Sequence, residues 1–313
     1  MLPDHSIRPG SQDGTCAATV VRSENREALN SAVAPSRSVS ANITNSLPAE
    51  KQSRPATQNS VKDKNADTTF GRECLEMAKL PLGWVLANGQ TMRWATEKAV
   101  IRQILASGDF PAFFESMRNG TSADIGCGGG RYLNDFLVAR SASVIGIDHN
   151  LHHVHLAGRR ASRAGLSGKV TIHHASADEL PLQDGSVDFV LCTQVLEHLA
   201  CPAKGVEEIT RVLRSSGRGI LSIPIPPDPL PNPKHLHRDF LPGRLDDIVI
   251  ANGLDILRRD YSMYAVSRAV AWLTGTLHIP LPLNPLCYFE QATSRIVPWP
   301  LPHIYICAVE KAK

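Results

Sequence analysis

The sequence predicts an α/β protein whose mostly parallel sheet is covered by helices on both faces. Three observations carry that reading. From Ser122 onward, short β-like runs alternate with helical ones, the order that builds strand–helix–strand units. A glycine run, DIGCGGG over 124–130, joins the first such strand to a helical segment. A second strand-like run, VIGIDHN over 144–150, places an acid, Asp148, one strand–helix–strand unit after Asp124.

The elements follow in order. Candidate strands lie at 122–126, 143–148, 169–174, 187–193, 218–224, 255–261 and 303–310. Candidate helices lie at 92–107, 129–139, 151–165, 203–214 and 240–252. In 92–107, Trp94, Ile101, Ile104 and Leu105 share a face, and the stem of Lys98 can cover apolar surface between them. Val206, Ile209, Val212 and Leu213 give 203–214 its apolar face, and Leu245, Ile248 and Val249 do so for 240–252, which Gly253 ends. In such a sheet, ligands bind outside the carboxyl ends of the strands, near the topological switch point.

Residues 1–68 are rich in Ser, Ala, Asn and Thr, with few aromatics and no sustained period, and are expected to form a disordered N-terminal tail. Residues 69–313 are expected to be one domain, with 69–120 a helical cap and 262–302 an insertion or lid before the last strand. A net charge of +3 without a dense Lys/Arg run gives no footprint for nucleic acid. No two of the seven cysteines have CxxC spacing, so neither a disulfide framework nor a zinc site is expected, and a cytoplasmic location follows. The longest uncharged apolar stretch, 269–289, is broken by Pro280, Pro282 and Pro285, which argues against a membrane span.

The glycine loop is the chemical centre of the sequence. Glycine is required where the backbone takes positive φ or must approach a ligand closely. The helix start that follows offers free N–H groups. Such loops serve dinucleotides as well as S-adenosylmethionine. Asp124, just before the loop, suits a ligand carrying an ammonium group and is a poor neighbour for a pyrophosphate. A carboxylate at Asp148 suits two ribose hydroxyls. Together they favour S-adenosylmethionine.

Over residues 90–260 the chain resembles the class I S-adenosylmethionine-dependent methyltransferases, and among them the type 11 group that includes ubiquinone/menaquinone C-methyltransferases. DIGCGGGR is similar to the first motif of that family and GIDHN to its second. ASADELPLQDGSVDFVLCTQVLEHL (175–199) and EEITRVLRSSGRGILSIP (207–224) are similar to the stretches that follow. The resemblance implies a Rossmann-like, doubly wound sheet of seven strands with an antiparallel last strand. It implies Asp124 near the methionine amino group, Gly126, Cys127, Gly128 and Gly130 along the methionine moiety, and Asp148 with His149 at the ribose. It also implies Ser176, Ala177 and Asp178 at the adenine, and Thr193 and Gln194 below the sulfonium. Two departures stand out. Ser176 occupies the place of the usual Asp, and Ser215-Ser216-Gly217 replaces the usual Pro-Gly-Gly before the fifth strand.

The acceptor is expected to be a small molecule. A general base is needed only for a hydroxyl or a weakly acidic carbon. His198, just past the fourth strand, and His235 and His237, in the HLHRDF loop after the fifth, are the candidate bases or substrate contacts, with His237 preferred in that loop and structural or solvated histidines as the competing reading. His152 and His155 can share a helix face, but no acid or cysteine joins them at a suitable spacing, so no metal is expected. The apolar, proline-rich segment 262–302 fits a substrate lid, a flap in peripheral membrane contact, or a core-packing insertion. As a lid it implies an apolar acceptor. Two rival functions are a non-catalytic S-adenosylmethionine-binding protein and a nicotinamide-dependent oxidoreductase. Calorimetry with S-adenosylhomocysteine against NAD separates the last from the rest.

Overall fold

The computed structural model describes residues 89–116, 119–133, 137–228, 232, 234–237, 239–277, 284–294 and 296–313. The expected tail at 1–68, and the start of the expected cap up to 88, lie outside the described residues.

The alternating pattern resolves into one sheet. Its strands are β1 (Thr121–Ile125), β2 (Ser143–Asp148), β3 (Val170–His174), β4 (Val187–Thr193), β5 (Leu213–Pro224), β6 (Leu254–Ser262) and β7 (Ile304–Lys311). The helices are α1 (Gly89–Leu105), α2 (Phe110–Ser116), α3 (Leu151–Arg163), α4 (Pro202–Val212), α5 (Pro242–Ala251), α6 (Ala265–Leu277) and α7 (Asn284–Thr293). The strand order is β3-β2-β1-β4-β5-β7-β6. β1 pairs parallel with β2 on one side and β4 on the other, so the winding reverses there and a crevice opens at its carboxyl end. β7 runs antiparallel to both β5 and β6, the expected reversal.

Both faces of the inner strands are buried, which is why β1, β4 and β7 are shielded along nearly their whole length, while the edge strands β3 and β6 are partly exposed. Along β7, Ile304, Ile306 and Ala308 enter the core layer shared with Ile101, Ile104 and Phe114. Tyr305, Cys307 and Val309 enter the opposite layer with Val206, Ile209 and Leu245. Val206, Ile209 and Val212 of α4 are fully shielded. Each such side chain contributes roughly 1.5–3 kcal/mol on burial.

Two stretches differ from expectation. The helix expected over 129–139 is not a regular α-helix at its described ends: Leu137 N–H donates to the Tyr132 carbonyl (3.5 Å) and Val138 N–H to that of Leu133 (3.2 Å), an i to i+5 pattern. Gly128 and Gly130 hold φ at 53° and 77°, a conformation that cannot begin a right-handed helix. The stretch 262–302 contains α6 and α7, which pack on each other and on α1. Glu290 of α7 staples them. Its carboxylate accepts from Val266 N–H (2.6 Å), Ser267 N–H (2.9 Å) and the Ser267 hydroxyl (2.5 Å) at the start of α6. Trp272, Leu286 and Phe289 of this pair are exposed. Among the described residues no helix is long and apolar enough to cross a membrane.

Candidate active site

The glycine loop is held tightly on both sides. Gly126 N–H and Cys127 N–H both donate to the Ile147 carbonyl (2.7 and 2.9 Å). Gly126 has φ +74°, and a Cβ there would stand 2.2 Å from Val195 Cγ2. A Cβ on Gly128 would meet nothing within 4 Å, so that part of the loop faces open space.

Asp148 closes the loop from the end of β2. One carboxylate oxygen accepts from Gly128 N–H (2.8 Å) and the other from Asn150 N–H (2.8 Å). Asn150 in turn caps α3, its side-chain oxygen accepting from His152 N–H (3.0 Å). Burial works against the Asp148 charge. The hydrogen bonds from His153, Asn150 and Gly128 outweigh it and hold the carboxyl below its ordinary value. A short GIDHN sequence thus links an ionised acid, a helix cap and the glycine loop.

These groups line a cavity of about 470 Å³ at the carboxyl end of β1, within the usual range for small-molecule sites. Of the expected site residues, Gly126, Cys127, Gly128, Asp148, His149, Ser176, Ala177, Thr193, Gln194 and His198 line it. Asp124, Gly130, Asp178 and His237 do not. Asp124 is fully buried at the end of β1, with neither carboxylate oxygen hydrogen-bonded. Burial, with the charge of Asp148, pushes its carboxyl up to about 8. Gly130 packs against Ala157 of α3. Asp178 is engaged by the Ser176 hydroxyl. The expectation for His237 is corrected. Its Nε2 lies 3.0 Å from the Leu199 carbonyl and its ring packs on Phe240, so it is His235, two residues earlier, that reaches the cavity.

Sequence reasoning missed the polar residues of α1. Arg93 and Glu97 are buried and line the cavity with Trp94. The Glu97 carboxylate accepts from Ser222 Oγ (2.5 Å), Tyr132 Oη (3.1 Å) and Gln194 Nε2 (3.2 Å). Burial nonetheless raises its carboxyl. Arg93 donates to the Gln194 side-chain oxygen and lies 3.6 Å from Asp228. Gln194 itself holds φ +56°, a strained conformation that this network secures. The signal was present: the apolar stripe of Ile101 and Ile104, continued backwards at helical period, runs through Glu97 and Arg93.

Beside this network, Glu197, His198 and His235 converge. Glu197 is fully buried, and neither carboxylate oxygen has a hydrogen-bond partner. His198 Nε2 and His235 Nε2 stand 4.0 and 3.9 Å from Glu197 Oε1, too far for hydrogen bonds. Burial raises the Glu197 carboxyl to about 8 and lowers the His235 imidazole to about 4.

Residues 123–221 match the family model described as a methyltransferase domain. Among curated relatives, a ubiquinone biosynthesis O-methyltransferase from Aromatoleum aromaticum is 38% identical over 100 residues, covering 32% of this chain and 42% of the relative. A 27-O-demethylrifamycin SV methyltransferase from Amycolatopsis mediterranei is 35% identical over 95 residues, covering 30% and 35%. The chain thus spans less than half the length of these relatives. Among solved structures, a candidate sarcosine dimethylglycine methyltransferase from Galdieria sulphuraria is similar in fold. It has a TM-score of 0.50 and 16% identity, covering 71% of this chain and 86% of that one. Strand order, glycine loop and family match agree: residues 123–221 carry a methyltransferase domain of the type 11 group.

Proposed function

We propose that the protein transfers a methyl group from S-adenosylmethionine to a small-molecule acceptor with an apolar body. The observation that carries this reading is Asp148. Its ionised carboxylate ties the glycine loop to α3 and borders the cavity. A carboxylate has further lone pairs beyond the two used by backbone N–H groups, so it can also accept from ribose hydroxyls. Gly128, open to the cavity, leaves room for the methionine moiety. Ser176 and Ala177 offer a hydroxyl and a backbone N–H for the adenine.

The cofactor supplies an activated methyl group on its sulfonium. The residues of this chain hold and orient. Gln194, pinned by Arg93, Glu97 and Ser222, forms a fixed wall at the end of β4. Trp94, with the Arg131 guanidinium 3.2 Å over its ring, forms part of the α1 wall. Orientation of this kind supplies roughly 7–11 kcal/mol of a bimolecular barrier. His198 and His235, whose imidazoles burial keeps neutral near pH 7, border the cavity as electron-pair donors. The exposed Trp272, Leu286 and Phe289 support an apolar acceptor and peripheral contact with a lipid surface through 262–302. Cys127, Cys192, Cys201 and Cys307 are free cysteines, which supports a reducing compartment.

Calorimetry with S-adenosylhomocysteine and with NAD, followed by incubation with labelled S-adenosylmethionine and a metabolite extract, tests the proposal. Binding of the homocysteine product and label in a small organic molecule are expected. Binding of NAD alone would sink the reading, and binding without label transfer would make the protein a non-catalytic binder.

A further inference from the structure

We propose that Glu197, His198 and His235 form a binding site for a divalent transition-metal ion that opens into the cavity and activates an acceptor oxygen. The second half rests on the methyl-transfer reading, and the first stands without it.

One carboxylate oxygen and two imidazole nitrogens lie within 4.8 Å of one another. An ion about 2.0–2.1 Å from each needs these atoms roughly 3.3–3.5 Å apart. The two measured separations from Glu197, 4.0 and 3.9 Å, close to that by about half an ångström each, within the reach of side-chain torsions. The donor set is assembled from two chain segments, the turn after β4 and the loop after β5, so its convergence owes nothing to sequence adjacency alone.

Glu197 supplies the independent observation. A fully buried carboxylate without a single hydrogen bond is costly unless something compensates it. Two imidazole nitrogens aimed at that carboxylate, at distances too long to bond it, leave a space between three electron-pair donors.

The surroundings orient the donors as metal sites require. His198 Nδ1 lies 3.0 Å from the Lys234 carbonyl, which sets the proton on Nδ1 and leaves the Nε2 lone pair toward Glu197. His235 Nδ1 faces Asp228 at 3.9 Å, on the side of the ring away from Glu197. The two rings meet edge-on with centroids 4.8 Å apart. The backbone carbonyl of Glu197 is also fixed, accepting from Leu236 N–H (2.9 Å) and His237 N–H (3.3 Å), which ties the two ligand segments together.

Two imidazoles and one carboxylate suit Zn²⁺, Fe²⁺ or Mn²⁺ better than Mg²⁺ or Ca²⁺. All three residues border the same cavity, so open coordination positions face the acceptor. An acceptor hydroxyl on the ion loses its proton to water more readily. Its oxygen lone pair then forms the O–CH3 bond while the S–CH3 bond breaks, the electron pair remaining on sulfur. The products are a methyl ether and S-adenosylhomocysteine. The inference therefore assigns oxygen as the methylated atom.

The test uses the full chain, stripped with a chelator and then titrated with Zn²⁺ and with Co²⁺. One equivalent of Zn²⁺ should remain after gel filtration, and Co²⁺ should give visible ligand-field bands. Glu197→Gln and His235→Asn should each weaken Zn²⁺ binding more than about tenfold and abolish the bands, whereas His152→Asn should leave both unchanged. Melting curves of the metal-free variants report folding, and should Glu197→Gln not fold, His235→Asn, on the loop, decides. Absence of stoichiometric metal, or binding indifferent to both substitutions, would overturn the proposal. Failure of S-adenosylhomocysteine to bind would remove the methyl-transfer reading and leave the metal result intact.

Discussion

Replacing Asp148 by Asn preserves the shape of the side chain and changes what it can accept. In the native protein each carboxylate oxygen takes a backbone N–H at 2.8 Å, one from Gly128 and one from Asn150. The amide of Asp148→Asn keeps one acceptor and turns an NH2 group onto the other N–H. A hydrogen bond to a charged group contributes about 1.5–3 kcal/mol net. One such bond is lost outright, and the negative charge that a ribose hydroxyl would meet is gone. The expected loss in binding free energy is about 2–3 kcal/mol, a 30- to 150-fold weaker affinity at about 1.4 kcal/mol per tenfold. Titration calorimetry with S-adenosylhomocysteine measures it, with a thermal melt to establish that the variant is folded. Asp148→Ala, which removes both bonds, should bind more weakly still. A folded pair of variants that both bind within threefold of the native protein would refute the assignment of Asp148 to the donor site.

Gly126→Ala should destabilise the fold by roughly 1–3 kcal/mol, since φ +74° is strained for any L side chain and the new methyl meets Val195. Denaturant titration of Gly126→Ala alone and combined with Val195→Ala should show partial recovery in the double variant; additive losses would contradict the contact. Asp124 predicts a pH effect on stability. Its carboxyl sits at about 8 in the fold against 3.8 ordinarily, so between those values the native state holds a proton that the unfolded chain has released. Stability therefore falls as pH rises through that window, by a few kcal/mol, on the order of 1.4 per pH step. Asp124→Asn should remove that slope and melt higher than the native protein at pH 8, and parallel profiles for the two would exclude the burial argument.

The glycine loop and the acid that borders it were largely legible in the sequence because their signals are local. Strand period, the glycine run and the acid that ends β2 each depend on a few adjacent residues, and β2 and β4 fall on their expected bounds. The network around α1 was not, because its residues meet only in three dimensions. Arg93 and Glu97 are charged residues on a helix whose apolar stripe alone drew attention, and their partners Tyr132, Gln194 and Ser222 come from three other segments. His235 and His237 are separated by one residue on an irregular loop, where no period says which one turns inward. The helices α6 and α7 lie in a stretch with prolines at 280, 282 and 285, which masks two short helical runs as one unstructured segment.

The docking of α1 has a consequence for how the protein is made. α1 packs against α6, α7, β6 and β7, all of which leave the ribosome long after it. During synthesis the glycine loop and the first four strands are complete while the partners of α1 have not yet been translated. Arg93 and Glu97 can already meet Tyr132, Gln194 and Ser222, while the helices and strands that cover α1 arrive only afterwards. A chain cut short before β6 would present the glycine loop beneath a helix stripped of most of its packing partners, and long-range closure of this kind is the slow step that topology imposes.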